Sequence, residues 1–272
     1  MAAPFGSTWE AIAGARVIDL AQPLERGRPV SPNHPAFQLA MMRRHGDMVR
    51  SDGGSAANEM FLLGGHVGTH LDALGHVSQD GLLYGGVEAA GAQSNHGLTA
   101  LGIDTVQPML CRGVLLDVAA VREVDVLEAG YAVTADDLAA AEQAAGVTVG
   151  EGDAVLIRSG WATHWDDPEL FRGQFGGAPG PGEAASRWLA ERQIRVSGAE
   201  TIAYEVIRPG AGHATLPVHR VLMVEADIHI MEVMNLTDLA SAGTPEFLFV
   251  ATPLKIVGGT GSPIRPIAVL DA

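Results

Sequence analysis

The sequence of 272 residues has little that would suit a secreted, membrane or nucleic-acid-binding protein. It contains one cysteine, Cys111, so no disulfide can form within the chain and a four-thiolate zinc site is excluded. No apolar run approaches the roughly 20 residues that span a bilayer. Lys and Arg number 17 against 32 Asp and Glu, and the net charge of −15 opposes binding to nucleic acid or an anionic membrane. We therefore expect neither as a partner.

Residues 1–13 also lack the basic start and continuous apolar stretch of a secretion signal, so we expect a cytoplasmic protein. Aromatic residues are scarce, at 5%, and aliphatic side chains must fill the core. Because 47% of residues are hydrophobic and only 18% charged, the chain should be globular. Its length allows one large domain or two small ones, and because predicted strands continue beyond the Gly- and Pro-rich segment 174–182, we expect a single domain over residues 1–272.

Frequent Gly and Pro indicate many turns between short strands. Strands outnumber helices and interleave with them irregularly, which predicts an α/β fold with mixed β-sheets. An apolar run at residues 60–63 is interpreted as a buried strand that opens into a loop. A Gly- and Pro-rich loop is expected at 174–182. The other predicted strands are residues 16–20, 112–118, 154–158, 221–224 and 247–250.

Two segments carry helix signals. The first has an N-cap at Thr134, acidic residues in its first turn and a natural C-terminal residue at Gly146. The second spans about 182–192 and is amphipathic. Its predicted apolar face is formed by Ala184, Trp188 and Leu189.

Three of the ten His residues fall within residues 66–76, and an Asp lies between them. On an extended strand the even-numbered His66, His70 and Asp72 would project to one side, and Gly68 allows a tight turn that brings them together. Imidazole and carboxylate are the side chains that bind Zn, Mn or Fe without thiols. With His76 close behind, the cluster predicts a metal site.

The stretch 66–76, His-Val-Gly-Thr-His-Leu-Asp-Ala-Leu-Gly-His, resembles the signature His-x-Gly-Thr-His-x-Asp-x-Pro-x-His of the cyclase-like metal-dependent hydrolase family. That family includes isatin hydrolase and bacterial kynurenine formamidase. The departure is Leu74 in place of Pro, a position that shapes the loop and touches no metal. Further similar segments are residues 19–24, 158–161, 216–222, 232–236 and 258–266.

The resemblance implies a barrel-like core of mixed β-sheets with peripheral helices, of the swivelling β/β/α type. It implies one or two divalent ions per subunit, Mn²⁺ or Zn²⁺, and a homodimer or homotetramer whose pockets a neighbouring subunit completes. His219 and Glu232 match positions that bind a second metal in the formamidases or act around a single ion in other members. The residues that it assigns are His66, His70 and Asp72 as metal ligands and His76, His219 and Glu232 as catalytic groups.

The predicted activity is hydrolysis of carbon–nitrogen bonds other than peptide bonds. A divalent ion lowers the pKa of bound water to roughly 7 and so supplies hydroxide at neutral pH. The expected substrate is a small cyclic amide, lactam or lactone, and isatin-like ring opening to a carboxylate is the leading hypothesis. Deformylation of N-formylkynurenine is the alternative. A protein that binds a metal or a small acid without turnover is the alternative of another class.

Other residues with chemical potential fit no motif. His213 and His229 are isolated, and we expect them to be structural or exposed. Cys111 is expected to be a core thiol. Ser159 lacks the Gly-x-Ser-x-Gly turn of a nucleophile, and the Gly-rich residues 258–261 lack the ending of a phosphate loop.

Overall fold

The computed structural model describes residues 13–271. Most of its strands form one large sheet, and the rest form three short two-stranded pairs. The strands are β1 Arg16–Asp19, β2 Gln38–Arg43, β3 Asn58–Leu62, β4 His70–Asp72, β5 Gln93–Ser94, β6 Gly97–Leu98, β7 Met109–Asp117, β8 Ala132–Val133, β9 Ala154–Arg158, β10 Gly180–Pro181, β11 Val196–Ala199, β12 His229–Glu232, β13 Glu246–Ala251, β14 Gly261–Pro263 and β15 Ile267–Leu270.

The large sheet has nine strands in the order β1-β15-β13-β7-β9-β11-β12-β4-β14. The central strands β7, β9, β11 and β12 are parallel, and the flanking pairs are antiparallel. The sheet curls into a half-barrel with few helices around it. This architecture confirms the predicted α/β fold with a mixed, barrel-like sheet.

The sequence patterns explain where strands lie in this sheet. In β9, Ala-Val-Leu-Ile is buried on both faces, as expected for a central parallel strand. In β13, Phe247, Phe249 and Ala251 are buried while the residues between them are more exposed. This alternation marks a strand with one face on the core. Buried apolar clusters accordingly lie on both sides of the sheet.

Six helices surround the sheet within the described residues. The second begins at Thr134, whose side chain accepts a hydrogen bond from the backbone of Asp137 in a capping box, and ends at Gly146 in a left-handed conformation (φ 67°). In the fourth, the prediction for Ala184 was wrong: it is exposed, and Ala185 faces the core. The helices are α1 Val118–Val121, α2 Ala135–Ala145, α3 Pro168–Arg172, α4 Glu183–Glu191, α5 Pro217–His219 and α6 Thr237–Ala242.

Shorter helical turns complete the chain, and one corrects a predicted strand. Residues 221–224 are not a strand but part of a π-helix, Arg220–Glu225, that continues directly from α5. Pro217 at the first position of α5 favours helix, and a four-residue apolar run alone does not distinguish a buried strand from a buried helical turn. The 3₁₀ turns are Tyr84–Gly86, Ile103–Thr105 and Trp161–His164.

The interpretation of residues 60–63 as a buried strand was also wrong. Strand β3 pairs with β2 in a hairpin whose strand residues are all exposed. Met60, Phe61 and Leu62 are between 56% and 66% exposed. Apolar composition predicted the strand, but whether other elements cover it is decided by tertiary packing. Among residues 13–271, no helix is long and apolar enough to cross a membrane.

Candidate metal centre

The His–Asp cluster lies on β4, between β12 and β14. The antiparallel register places Glu232 directly opposite His70, and directly opposed side chains on one face are neighbours. Only residues 70–72 are extended. His66 lies in the preceding loop, not on the strand, and the turn at Gly68 (φ +63°) carries the chain between them. His76 lies just beyond β4.

The imidazoles of His66 and His70 and the carboxylate of Asp72 are almost completely buried. His66 Nδ1–H donates to Asp72 Oδ1 at 2.6 Å, and His70 Nε2 lies 3.5 Å from the same oxygen. His70 Nδ1–H donates to the carbonyl of Gly68 at 2.8 Å. This bond leaves His70 Nε2 facing the carboxylates as a potential ligand atom.

The late pair predicted from sequence, His219 and Glu232, joins the same cluster. Glu232 bridges two imidazoles, with its oxygens 3.4 Å from His70 Nε2 and 3.3 Å from His219 Nε2. His219 Nδ1–H donates to buried Glu205 at 2.6 Å, and Glu205 also accepts the backbone N–H of His219. This carboxylate therefore fixes the ring with Nε2 toward Asp72, 3.8 Å from its Oδ2.

These donor atoms fit a divalent ion. The Oδ2 atom of Asp72 is buried without a hydrogen-bond partner within the described chain, an arrangement that a metal ion would satisfy. Two groups of potential ligands share this carboxylate. One contains His66, Asp72 and His76, and the other contains His70, Asp72 and Glu232. The three ligands proposed from sequence therefore divide between two groups linked by Asp72, and His219 adjoins the second.

Charges at the centre depend on these neighbours. Burial opposes ionisation of Asp72, but the imidazoles of His76 and His66 outweigh it and hold the pKa of the carboxyl well below its usual range. Burial also disfavours a charged His70, yet Glu232 and Asp72 raise its pKa to about 9. His219 follows the same pattern: its hydrogen bonds to Glu205 and Glu232 overcome burial and raise its pKa to about 10.

His76 differs from the other imidazoles. It stacks on His66 with ring centroids 3.9 Å apart, and its ring nitrogens form no hydrogen bond to another described residue. Burial lowers its pKa to about 4, which keeps the ring neutral at neutral pH. His76 is therefore a proton acceptor at the edge of the cluster.

The cluster opens into a cavity of about 380 Å³, a volume that suits a small molecule. Two histidines outside the predicted centre line it. His34 stacks on the outer face of His66, with centroids 4.9 Å apart, and burial lowers its pKa. His213, expected to be structural or exposed, is half-buried on the same cavity. His229 has a structural contact: its Nδ1–H donates to the backbone carbonyl of Asp72 at 3.0 Å.

Sequence reasoning missed His34, Glu205 and Thr260. Thr260 Oγ1 lies 2.9 Å from His66 Nε2, and Glu205 orients His219. Thr260 lies within the matched segment 258–266 and Glu205 lies outside the matched segments, and neither has a spacing that signals contact with an imidazole. Cys111 was expected to be a core thiol. It packs against an apolar cluster but is only half-buried, so it lies less deeply than expected.

The absence of a side chain at Gly261 leaves room for the ring of His66. A Cβ atom at Gly261 would lie 2.5 Å from His66 Cε1, inside van der Waals contact. We expect Gly261→Ala to displace this ring and to weaken metal affinity by about 10-fold to 100-fold, the effect typical of disturbing a ligand's support. Isothermal titration of Mn²⁺ or Zn²⁺ measures the change. Gly176→Ala is the control, since its Cβ meets nothing within 4 Å; equal affinities for both variants would contradict the prediction.

The fold and this centre define a class: an α/β protein whose curled mixed sheet carries a buried His–carboxylate centre of the kind that binds divalent ions. The chain belongs to the cyclase family, because the model of the family described as "putative cyclase" matches residues 18–206. The resemblance noted in the sequence is thereby confirmed.

Individual relatives agree. Isatin hydrolase of Roseibium aggregatum is 29% identical over 225 residues, which cover 81% of this chain and 77% of that protein. The crystal structure of a novel cyclase has a TM-score of 0.85 and 28% identity, covering 98% of this chain and 93% of its own. Isatin hydrolase A from Ralstonia solanacearum has a TM-score of 0.75 and 26% identity, covering 100% and 98%. These similarities support the metal-dependent hydrolase class.

Proposed function

We propose that the chain is a metal-dependent hydrolase of small cyclic amides, lactams or lactones. The observation that carries this proposal is the buried carboxylate of Asp72, which has one oxygen without a partner and lies among imidazoles at the base of a small-molecule cavity. His66, His70 and Asp72 would hold a divalent ion, Mn²⁺ or Zn²⁺, which would supply a Lewis acid and lower the pKa of water to near neutral.

The chain's own residues supply orientation and proton transfer. Glu205 and the Gly68 carbonyl fix two imidazoles with Nε2 inward, so the ligand set is arranged before an ion arrives. His76 is neutral and faces the cavity, and it accepts the proton released when water attacks the acyl carbon. Transfer of this proton from His76 to the leaving nitrogen completes the reaction. The charged side chains of His219 and Glu232 set the electrostatic environment of the centre.

The leading substrate is isatin or a close analogue, by similarity to the two isatin hydrolases. Water adds its oxygen to the lactam carbonyl carbon, the carbon–nitrogen bond breaks, and the nitrogen takes up a proton. The single product carries both an amine and a carboxylate, and the second proton of the water is released to solvent. No oxidant or second substrate is needed.

Deformylation of N-formylkynurenine is the second candidate. The two ligand groups that share Asp72 favour it, because they would accommodate the two ions bound by the formamidases. The test incubates metal-loaded protein with isatin and with N-formylkynurenine and follows each absorbance. We expect isatin to be opened faster. Turnover of neither would reject both substrates, and if a wider panel of amides and lactones were also untouched, a metal-binding protein without turnover would be the better description.

Metal binding should depend steeply on pH. In the metal-free protein His70, with a pKa of about 9, carries a proton at pH 7 and must lose it to present Nε2 to an ion. Metal affinity should therefore rise with pH, by up to about 10-fold per pH unit between pH 6 and 8 as this proton is released, and level off above pH 9. Calorimetry at pH 7 in buffers of different ionisation enthalpy counts the protons. Release of none would contradict the assignment.

We also propose that the chain assembles as a homodimer or homotetramer in the cytoplasm. The hairpin of β2 and β3 exposes Leu39, Met41, Met60, Phe61 and Leu62. An isolated two-stranded hairpin with apolar side chains in water is marginally stable, so a covering partner is expected. In the sequence the hairpin begins just after His34 and ends just before His66. A second copy packed against it would therefore lie beside the site.

Light scattering after size exclusion tests this assembly. The wild-type chain should have a mass two or four times the 28.3 kDa monomer. Phe61→Glu combined with Met60→Lys should shift the protein to monomer at micromolar concentrations, because burying a charge at an apolar interface is costly. Glu59→Gln, an exposed polar change on the same strand, should leave the mass unchanged. A monomeric wild-type protein would contradict the proposal.

A further inference from the structure

His34 occupies a defined place on the wall of the site cavity. Its backbone N–H donates to the carbonyl of Ser31 at 3.0 Å, which closes a turn and places the side chain inward. The ring stacks on His66, with an interplanar angle of 27°, while His76 stacks on His66 as well, at 28°. The face of the His34 ring is in contact with His66. The edge of the ring, which carries both nitrogens, is therefore available to a ligand.

Neither ring nitrogen of His34 has a hydrogen-bond partner among residues 13–271, although the side chain is half-buried. A half-buried polar group without a partner on the wall of a binding cavity is well placed to bind what enters it. An imidazole carries at least one N–H in either protonation state, so His34 always offers a donor.

The rest of the cavity wall limits which substrates fit. The described residues that line it include hydroxyl, amide and imidazole groups, at Ser31, Asn33, Ser78 and His213, but no Lys or Arg. A buried carboxylate needs a cationic or comparably strong partner, and its desolvation is costly without one. Neutral carbonyl oxygens are satisfied by neutral donors. Away from the His–carboxylate centre, the wall therefore suits an uncharged part of a substrate better than a carboxylate.

We infer that His34 is a substrate-contacting residue whose N–H binds a second carbonyl oxygen, adjacent to the acyl carbon that is attacked. The substrate class is then a small, uncharged cyclic compound with two neighbouring carbonyls. The inference rests on the proposed function for the identity of the attacked carbon. The contact selects the substrate and sets its angle toward the centre; metal binding does not depend on it.

The test measures binding of isatin to the metal-loaded protein by calorimetry, beside its turnover. His34→Phe keeps the stacked ring without the donor and should weaken isatin binding by about fivefold to tenfold, the effect of one lost neutral hydrogen bond. His34→Gln, which restores an N–H, should stay within about threefold of wild type. His96→Phe, a change at an exposed histidine outside the cavity, is the control. All four proteins should retain the same metal content.

A second measurement does not depend on any variant. 2-Oxindole is the same lactam without the neighbouring ketone, and it should bind wild-type protein about as weakly as isatin binds His34→Phe. Equal affinity of the wild-type protein for oxindole and isatin, unchanged isatin affinity in His34→Phe, tighter binding of N-formylkynurenine than of isatin, or no binding of isatin would each overturn the inference. Isatin binding that depends on His34 without hydrolysis would refute the proposed function and leave the contact supported.

Discussion

Replacing Asp72 with asparagine is expected to remove the metal and to lower hydrolysis by at least about 10³-fold. Asp72 belongs to both groups of potential ligands, and its Oδ2 is buried without a hydrogen-bond partner in the described chain. Asparagine keeps the shape but removes the charge that an ion and the neighbouring imidazoles require. A loss of about 4 kcal/mol of transition-state stabilisation corresponds to this factor, and polarisation by a metal supplies several kcal/mol.

Elemental analysis and single-substrate kinetics on the same preparation measure both effects. Asp136→Asn is the matched control, because Asp136 is exposed in the first turn of α2. It should retain full metal and full rate. An Asp72→Asn protein that keeps its metal and its rate would show that this carboxylate is a structural partner of the imidazoles and not a ligand.

His76→Gln is expected to lower kcat by about 10²-fold to 10⁴-fold while the metal stays bound, the range typical of removing a positioned general base. The His76 ring is neutral, stacked on His66 and without a hydrogen-bond partner among residues 13–271, so its lone pair is available to the reaction. Glutamine fills much of the same space but is not a base near neutral pH.

The geometry also places His76 in one of the two ligand groups, and the same variant separates the two roles. Loss of one equivalent of metal in His76→Gln would make this residue a ligand. Retained metal with an unchanged rate would show that His76 takes no part in the reaction. His96→Gln, at an exposed position, controls for a general effect of replacing histidine.

Much of the sheet and of the centre was predictable because the information is local. The strand at β9 and the helix from Thr134 to Gly146 follow from a continuous apolar run and from cap residues. The ligand cluster follows from the spacing of His66, His70 and Asp72. The predicted turn at Gly68 is confirmed by its left-handed conformation, and only His70 and Asp72 lie on the strand, with His66 in the loop before it.

What could not be predicted depends on contacts between distant segments. Glu205 reaches His219 only because the end of β11 lies beside α5, and Thr260 reaches His66 across 194 residues. The exposure of β3 follows from the absence of any described element over the hairpin, which no local pattern records. The helical conformation of residues 221–224 likewise follows from their continuation of α5.

Metal dependence of hydrolysis is tested most directly by stripping the protein with a chelator and adding back Mn²⁺ or Zn²⁺ while isatin opening is followed. The metal-free protein should be inactive, and the rate should rise in proportion to ion bound and saturate at one or two equivalents per chain. Full hydrolysis by metal-free protein, or stoichiometric binding that produces no hydrolysis of isatin or of related lactams and lactones, would contradict the assignment of this centre as a metal-dependent hydrolase.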